Sequence, residues 1–168
     1  MRYVILILII LCNASMFSQI TASEYYNNKG NDKYDLQDYR GAINYFNKAI
    51  LFDPKLSEVY YNRGNAKFKI EDFRGAMKDF NKAIQLDPKL SEAYYNRGNI
   101  KGYLEDYRGS IADYNKAIEI NPDYLEAYFS RGVSRYNLGD KNGGCLDLSK
   151  AGELGSSEAY KYIREHCN

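Results

Sequence analysis

Apolar residues recur at helical spacing along most of the chain. Between Phe73 and Gln85 the positions Ala76, Phe80, Ala83 and Ile84 follow at steps of four, three and one. That is one face of a helix; a half-buried strand would place them at every second residue. Upstream, Glu58 to Ile70 carries Val59, Tyr60, Ala66 and Phe68, a broader helical stripe. Glu71-Asp72 begins a turn between the two. Asp87-Pro88 ends the second helix, because proline lacks the N–H donor and disfavours helix in the residue before it. Ser23, Ser57 and Ser91 precede first helices and are placed to cap them.

The pattern returns every 34 residues. Asp53-Pro54, Asp87-Pro88 and Asn121-Pro122 mark the period. Asn47-Lys48-Ala49-Ile50 recurs at Asn81 to Ile84 and Asn115 to Ile118, and Gly30 recurs as Gly64, Gly98 and Gly132. Four units cover residues 23–56, 57–90, 91–124 and 125–158, with residues 1–22 before them and a tail over residues 159–168. Each unit reads as a helix-turn-helix. A single helix pair cannot bury both its faces, so the units must stack on a shared core.

Numbered from the first residue of each unit, the aromatic at place 4 is Tyr26, Tyr60, Tyr94 and Tyr128, and place 8 is glycine throughout. Place 20 is small: Ala42, Ala76, Ser110 and Gly144. Place 24 is Phe46, Phe80, Tyr114 and Leu148; place 27 is alanine; place 32 is Pro54, Pro88 and Pro122. This combination resembles the tetratricopeptide repeat. The resemblance implies an all-α fold, a right-handed α-solenoid of four such repeats closed by a C-terminal capping helix, with one concave face formed by the first helices.

The fourth unit departs from the pattern. Lys141 stands where Tyr39, Phe73 and Tyr107 stand in the others, Ser156 replaces the proline, and Asn142-Gly143-Gly144 weakens the start of its second helix. The tail, roughly Ser157 to His166, reads as a cap that covers the last open face through Ala159, Tyr160 and Ile163. Folding back at Gly155–Ser157 brings Cys145, near the start of the last second helix, beside Cys167, so a disulfide is expected between them. A charged column is expected to be structural: Arg63, Arg97 and Arg131 at place 7 match Asp79, Asp113 and Asp147 at place 23. In the first unit both change together, to Lys29 and Tyr45, which suggests intra-repeat ion pairs.

The first residues read as a secretory signal peptide over residues 1–22: Arg2, an unbroken apolar run from Val4 to Leu11, then small and polar residues. The run is too short to span a bilayer as a helix. Cleavage after Ala14 and cleavage nearer Ala22 both fit, and an uncleaved anchor and lipidation of Cys12 stand as alternatives. Export implies an extracytoplasmic site (periplasm, cell surface or secreted) and an oxidising milieu for Cys145 and Cys167. Without Arg2, the leader's one charge, 22 basic groups face 22 acidic ones. That balance argues against nucleic acid as a partner. One His and three Cys exclude a zinc or haem site of ordinary ligand type, and no cofactor is expected.

No catalytic set is present. The one histidine, His166, sits near the C-terminal end, and carboxylates such as Glu58, Glu71 and Asp72 read as solvated helix ends. The chain therefore reads as a non-enzymatic binding module for a protein or peptide, with no small-molecule substrate. In the resembled family the concave groove is lined by places 2, 5, 6, 9 and 12 of the first helices, and most of these share a helical face. Here they carry an asparagine ladder (Asn28, Asn31, Asn62, Asn65, Asn96, Asn99) beside an aromatic one (Tyr61, Tyr95, Phe129). Place 12 is Tyr34, Phe68, Gly102 and Tyr136. An Asn amide both donates and accepts, so it suits the backbone of an extended peptide. The family's clamp for acidic chaperone tails needs Lys or Arg at places 2, 5 and 6. Glu24, Glu58, Glu92 and Glu126 fill place 2, which argues against such tails and favours basic or amino-terminal groups. Two other roles remain open: a self-associating envelope scaffold, with membrane contact only through the leader, and an accessory subunit of a larger complex.

Overall fold

A computed structural model describes residues 21–167. The expected leader, with Cys12, lies outside the described residues except for Thr21 and Ala22, which are helical. Among the described residues there are nine helical segments and no strand: α1 (21–35), α2 (Tyr39–Phe52), α3 (Ser57–Lys69), α4 (Phe73–Leu86), α5 (Ser91–Tyr103), α6 (Tyr107–Ile120), α7 (Leu125–Asn137), α8 (Lys141–Glu153) and α9 (Ser157–His166). The chain divides into two compact units, one up to Leu86 and one from Asp87 on.

In the first unit the core is Ala42, Phe46, Ala49, Val59 and Ala66, with Tyr26, Tyr34, Tyr39, Ile43, Ile50 and Leu56 packed around it. Phe46 and Phe80 are wholly buried. Burial of a ring of this size contributes about 1.5–3 kcal/mol, so these two anchor their helix pairs. The glycines at place 8 make room for them: a Cβ on Gly64 would stand 2.7 Å from the Phe80 ring. In the second unit Gly98 faces the Tyr114 ring in the same way. Its C-terminal end is built on Leu148, Ala151 and Ala159, with Tyr128, Phe129, Val133, Tyr162 and Ile163 against them. Cys145 and Cys167 are joined by a disulfide with Cα atoms 5.9 Å apart, which ties α9 to the start of α8.

The serine caps expected for the first helices do not form. Ser57 and Ser91 lie inside the first turn, and the cap positions, Leu56 and Leu90, make no side-chain bond. Ser23 is buried within α1, and its hydroxyl donates to the Ala49 carbonyl at 3.0 Å. The caps fall instead on the second helices. Asp38, Asp72, Asp106 and Asp140 each accept from the N–H three residues on, at 2.9 Å. An ionised carboxylate there also meets the positive end of the helix dipole, which a hydroxyl cannot exploit. The Gly41 N–H bond, aided by Lys33, holds the Asp38 carboxyl below its usual range. Asp53, Asp87 and Asn121 fold over the prolines, accepting from the N–H two residues on.

The glycine pair in the fourth repeat, a poor start for a helix by propensity, also has a packing role. A Cβ on Gly143 would press on the Asp140 carboxylate that caps α8. A Cβ on Gly144 would stand 2.7 Å from the Gly132 carbonyl oxygen and 3.0 Å from the Tyr136 nitrogen. Gly143 thus leaves room for the Asp140 cap, and Gly144 lets α8 lie directly against the backbone of α7.

The charged column forms within the repeats. Arg63 Nε donates to Asp79 at 2.8 Å, Arg97 Nε to Asp113 at 2.9 Å and Arg131 Nε to Asp147 at 2.8 Å, each with a second bond from the same guanidinium. A second cation, unnoticed in the sequence, reaches each carboxylate from place 11: Lys67 at 2.7 Å, Lys101 at 2.8 Å and Arg135 at 3.0 Å. Each arginine also lies over the place 4 ring of its own repeat, 5.2–5.5 Å from its centroid. Arg63 and Arg131 extend to Asn47 and Asn115 of the preceding second helix, at 2.7 Å each. The aspartates are 3–5% exposed.

This packing predicts the stability of four variants. Gly144→Ala should lower stability by about 1–3 kcal/mol, because backbone rather than a mobile side chain opposes the new methyl. Gly102→Ala, with only ordinary contacts from 3.6 Å outward, should raise it by about 0.5–1 kcal/mol through helix propensity. Urea melts of the two variants check the opposite signs. Asp113→Asn should lose about 3 kcal/mol, since it leaves two cations facing a buried site without their counter-charge. Asp72→Asn, an exposed cap that keeps its acceptor, should lose well under about 1 kcal/mol by the same melt.

Candidate functional site

The first helices present the residues expected to bind. In the first unit Asn28 is exposed on α1, Asn31 is half-buried, and Tyr61, Asn62 and Asn65 are half-buried on α3. Part of this ladder is used internally. Asn62 Nδ2 donates to Asn27 Oδ1 at 3.2 Å, and Asn27 Nδ2 donates to Glu58 Oε1 at 3.3 Å. Asn27 is 7% exposed, so this chain ties α1 to α3 through amides and one carboxylate of the place 2 column. Asn65 is likewise engaged. The Tyr61 ring packs on Phe80, centroids 6.0 Å apart.

In the second unit Tyr95 packs on Tyr114 and Tyr124, with centroids at 5.9 and 5.0 Å. Asn99 Oδ1 accepts from the Tyr114 hydroxyl at 2.8 Å. Burial, with the Tyr95 phenol adding to it, pushes the Tyr114 hydroxyl well above the ordinary range, so it stays protonated and donating. Asn99 is thereby oriented by the scaffold, with its carbonyl side turned to the core. Asn96 is also engaged. Phe129 meets Tyr162 of α9 edge-on at 6.3 Å.

Two of the expected residues, Asn99 and Phe129, come together in one cavity of about 250 Å³. Its other walls are Gly102, Tyr103, Tyr107 and Tyr114 on one side and Ser130, Val133, Ser134 and Asn137 on the other. It thus opens between α5, the start of α6, and α7. No charged side chain lines it. Ser134 in its lining is buried, and its hydroxyl is hydrogen-bonded with that of Ser110 at 3.0 Å. Sequence reasoning placed Asn99 and Phe129 on the binding face but did not foresee the cavity. Its signal was Gly102, the one non-aromatic residue at place 12.

Among the described residues no group of three or more His, Cys, Asp or Glu side chains is arranged to hold a metal ion. No described helix is long and apolar enough to cross a membrane.

Comparison with known proteins places the fold. The family model described as tetratricopeptide repeat matches residues 57–90 and 91–124, and a second, described as TPR repeat, matches 30–71. Together they span more than half of the chain. No curated protein sequence matches. Among solved structures, one titled as the crystal structure of MamA is 27% identical, with a TM-score of 0.76 over 82% of this chain and 81% of that one. The Arabidopsis OM64 TPR domain is 28% identical, with a TM-score of 0.69 over 71% of this chain and 98% of that one. The first TPR of Spaghetti (RPAP3), bound to the HSP90 peptide SRMEEVD, is 26% identical, with a TM-score of 0.70 over 71% of this chain and 95% of that one. Period, helix pairing, glycine-on-ring packing and these matches converge: the chain belongs to the tetratricopeptide-repeat family and has its all-α solenoid fold.

Proposed function

We propose that the chain is an exported, non-enzymatic adaptor that holds an extended peptide segment of a partner protein on the first-helix faces of its repeats. The observation that carries this reading is the binding face itself. It sets part-exposed tyrosine rings beside asparagine amides that the scaffold holds in fixed orientations, so little side-chain entropy is lost on binding. The fold class is that of protein–protein interaction modules, and the Spaghetti domain binds a peptide. That peptide is acidic. Here Glu24, Glu58, Glu92 and Glu126 are all exposed at place 2, which favours a neutral or basic segment instead. The Cys145–Cys167 disulfide supports an extracytoplasmic setting, because cytosolic thiols are kept reduced. The expected signal peptide agrees with this.

Two measurements test the reading. The intact mass of the native protein, taken without reduction from a cell envelope fraction, should lack the leader and be two hydrogens lighter than the dithiol. Recovery in the cytosol with free thiols would refute export. In a paired pull-down from that envelope, the full chain should retain a partner that the Asn62→Ala, Asn96→Ala double variant loses, with affinity reduced about tenfold or more at unchanged circular dichroism. A partner held equally by both would move binding off this face.

A further inference from the structure

Places 12 and 17 of the repeats form a matched pair in three of the four. Tyr34 packs on Tyr39 with centroids 5.2 Å apart, and Phe68 on Phe73 at 5.7 Å. In the fourth repeat place 17 is Lys141, and its ammonium lies 5.5 Å from the centroid of the Tyr136 ring. Each pair fills the space beside the turn between the two helices of its repeat. The third repeat keeps the place 17 ring, Tyr107, but has Gly102 at place 12. The missing side chain leaves the cavity of about 250 Å³ described above, lined by Tyr107 and the buried Tyr114 together with Phe129 and Val133.

We propose that this cavity takes one aromatic side chain, Phe or Tyr, from the bound peptide. The proposal rests on the peptide-binding reading and names the residue that the face selects. Three observations choose the occupant. The gap lies where a ring of this same chain sits in the neighbouring repeats, and its wall is the ring that such a residue would meet. Its volume is below the ~300 Å³ at which small-molecule sites begin, and suits a single side chain. Its lining carries no charge, so a basic or acidic side chain would lose hydration without gaining a counter-charge, whereas a ring has no charge to desolvate. Ser130 and Asn137 add hydroxyl and amide groups that can satisfy a phenol. The gap is also not a packing requirement: a Cβ on Gly102 would meet nothing closer than 3.6 Å, unlike the place 8 glycines.

The test uses the full chain and its Gly102→Phe variant, which restores the pair seen at Phe68 and Phe73. Val133→Phe fills the same space from α7, so the test stands if one variant fails to fold. In the first arm p-cresol, the tyrosine side chain as a free molecule, is titrated against each labelled protein and read by amide chemical shifts. Saturable shifts at Gly102, Ser130 and Val133 in the parent, absent in the filled variants, are the expected result. No shift there, or equal shifts in all three proteins, overturns the proposal. In the second arm a displayed library of random linear peptides is selected on the parent. Selected peptides should share an aromatic residue at one position, and should bind at least about tenfold more weakly when it becomes Ala or when Gly102→Phe is the target. Peptides that bind parent and filled variants equally, with no shared aromatic, overturn this inference and leave the peptide-binding reading intact. If no linear peptide is retained, the peptide-binding reading fails and this inference with it.

Discussion

The structure depends on how closely the two helices of each repeat approach. The approach is set where glycine at place 8 of the first helix meets the large side chain at place 24 of the second. Phe46 and Phe80 are wholly buried against Gly30 and Gly64, leaving no room for a methyl on either glycine. Ala42, Ala76 and Ser110 at place 20 keep the backbone near on the other side. In the fourth repeat the large residue shrinks to Leu148 and place 20 shrinks with it to Gly144, so the two backbones meet directly. The contact is conserved in geometry between repeats although its side chains differ.

That contact sets distance; the ionic column sets register. A carboxylate held by two bonds from one arginine, and by a second cation one turn further along the same helix, fits only one sliding position of the helix pair. The arginines of the second and fourth repeats also reach the preceding second helix, which couples each to its neighbour. Such groups add specificity more surely than net stability, since their desolvation offsets much of their attraction. The first repeat lacks the pair. There Lys48 lies over the Tyr26 and Tyr45 rings at 5.6 and 5.3 Å, and aromatic packing takes over the position.

The proposed binding face follows from the same packing. Because packing uses the glycines, the place 24 residues and the small residues, the outward places of the first helices are released from scaffold duty in part only. Asn62 and Asn99 hold neighbours together while staying part-exposed, and Asn27 is buried in the same network. Repetition makes a departure informative: a missing ring at place 12 leaves a defined hole, because every surrounding residue is positioned by rules that still hold.

Much was legible in the residues alone. The period, the two helices per unit and the packing roles of places 4, 8, 20 and 24 are written in side-chain size and spacing, which local geometry converts directly into faces. The arginine–aspartate pairs could be read from their joint change in the first repeat. The caps could not, because Ser and Asp both precede helices and only the actual entry path decides which oxygen meets an N–H. The place 11 cations were hidden for a similar reason: many lysines line helices, and only the fold shows which one bends toward a buried carboxylate. The cavity beside Gly102 likewise belongs to the tertiary structure. A sequence shows that a side chain is absent, but whether neighbours close over the gap depends on helices held apart by contacts elsewhere in the repeat.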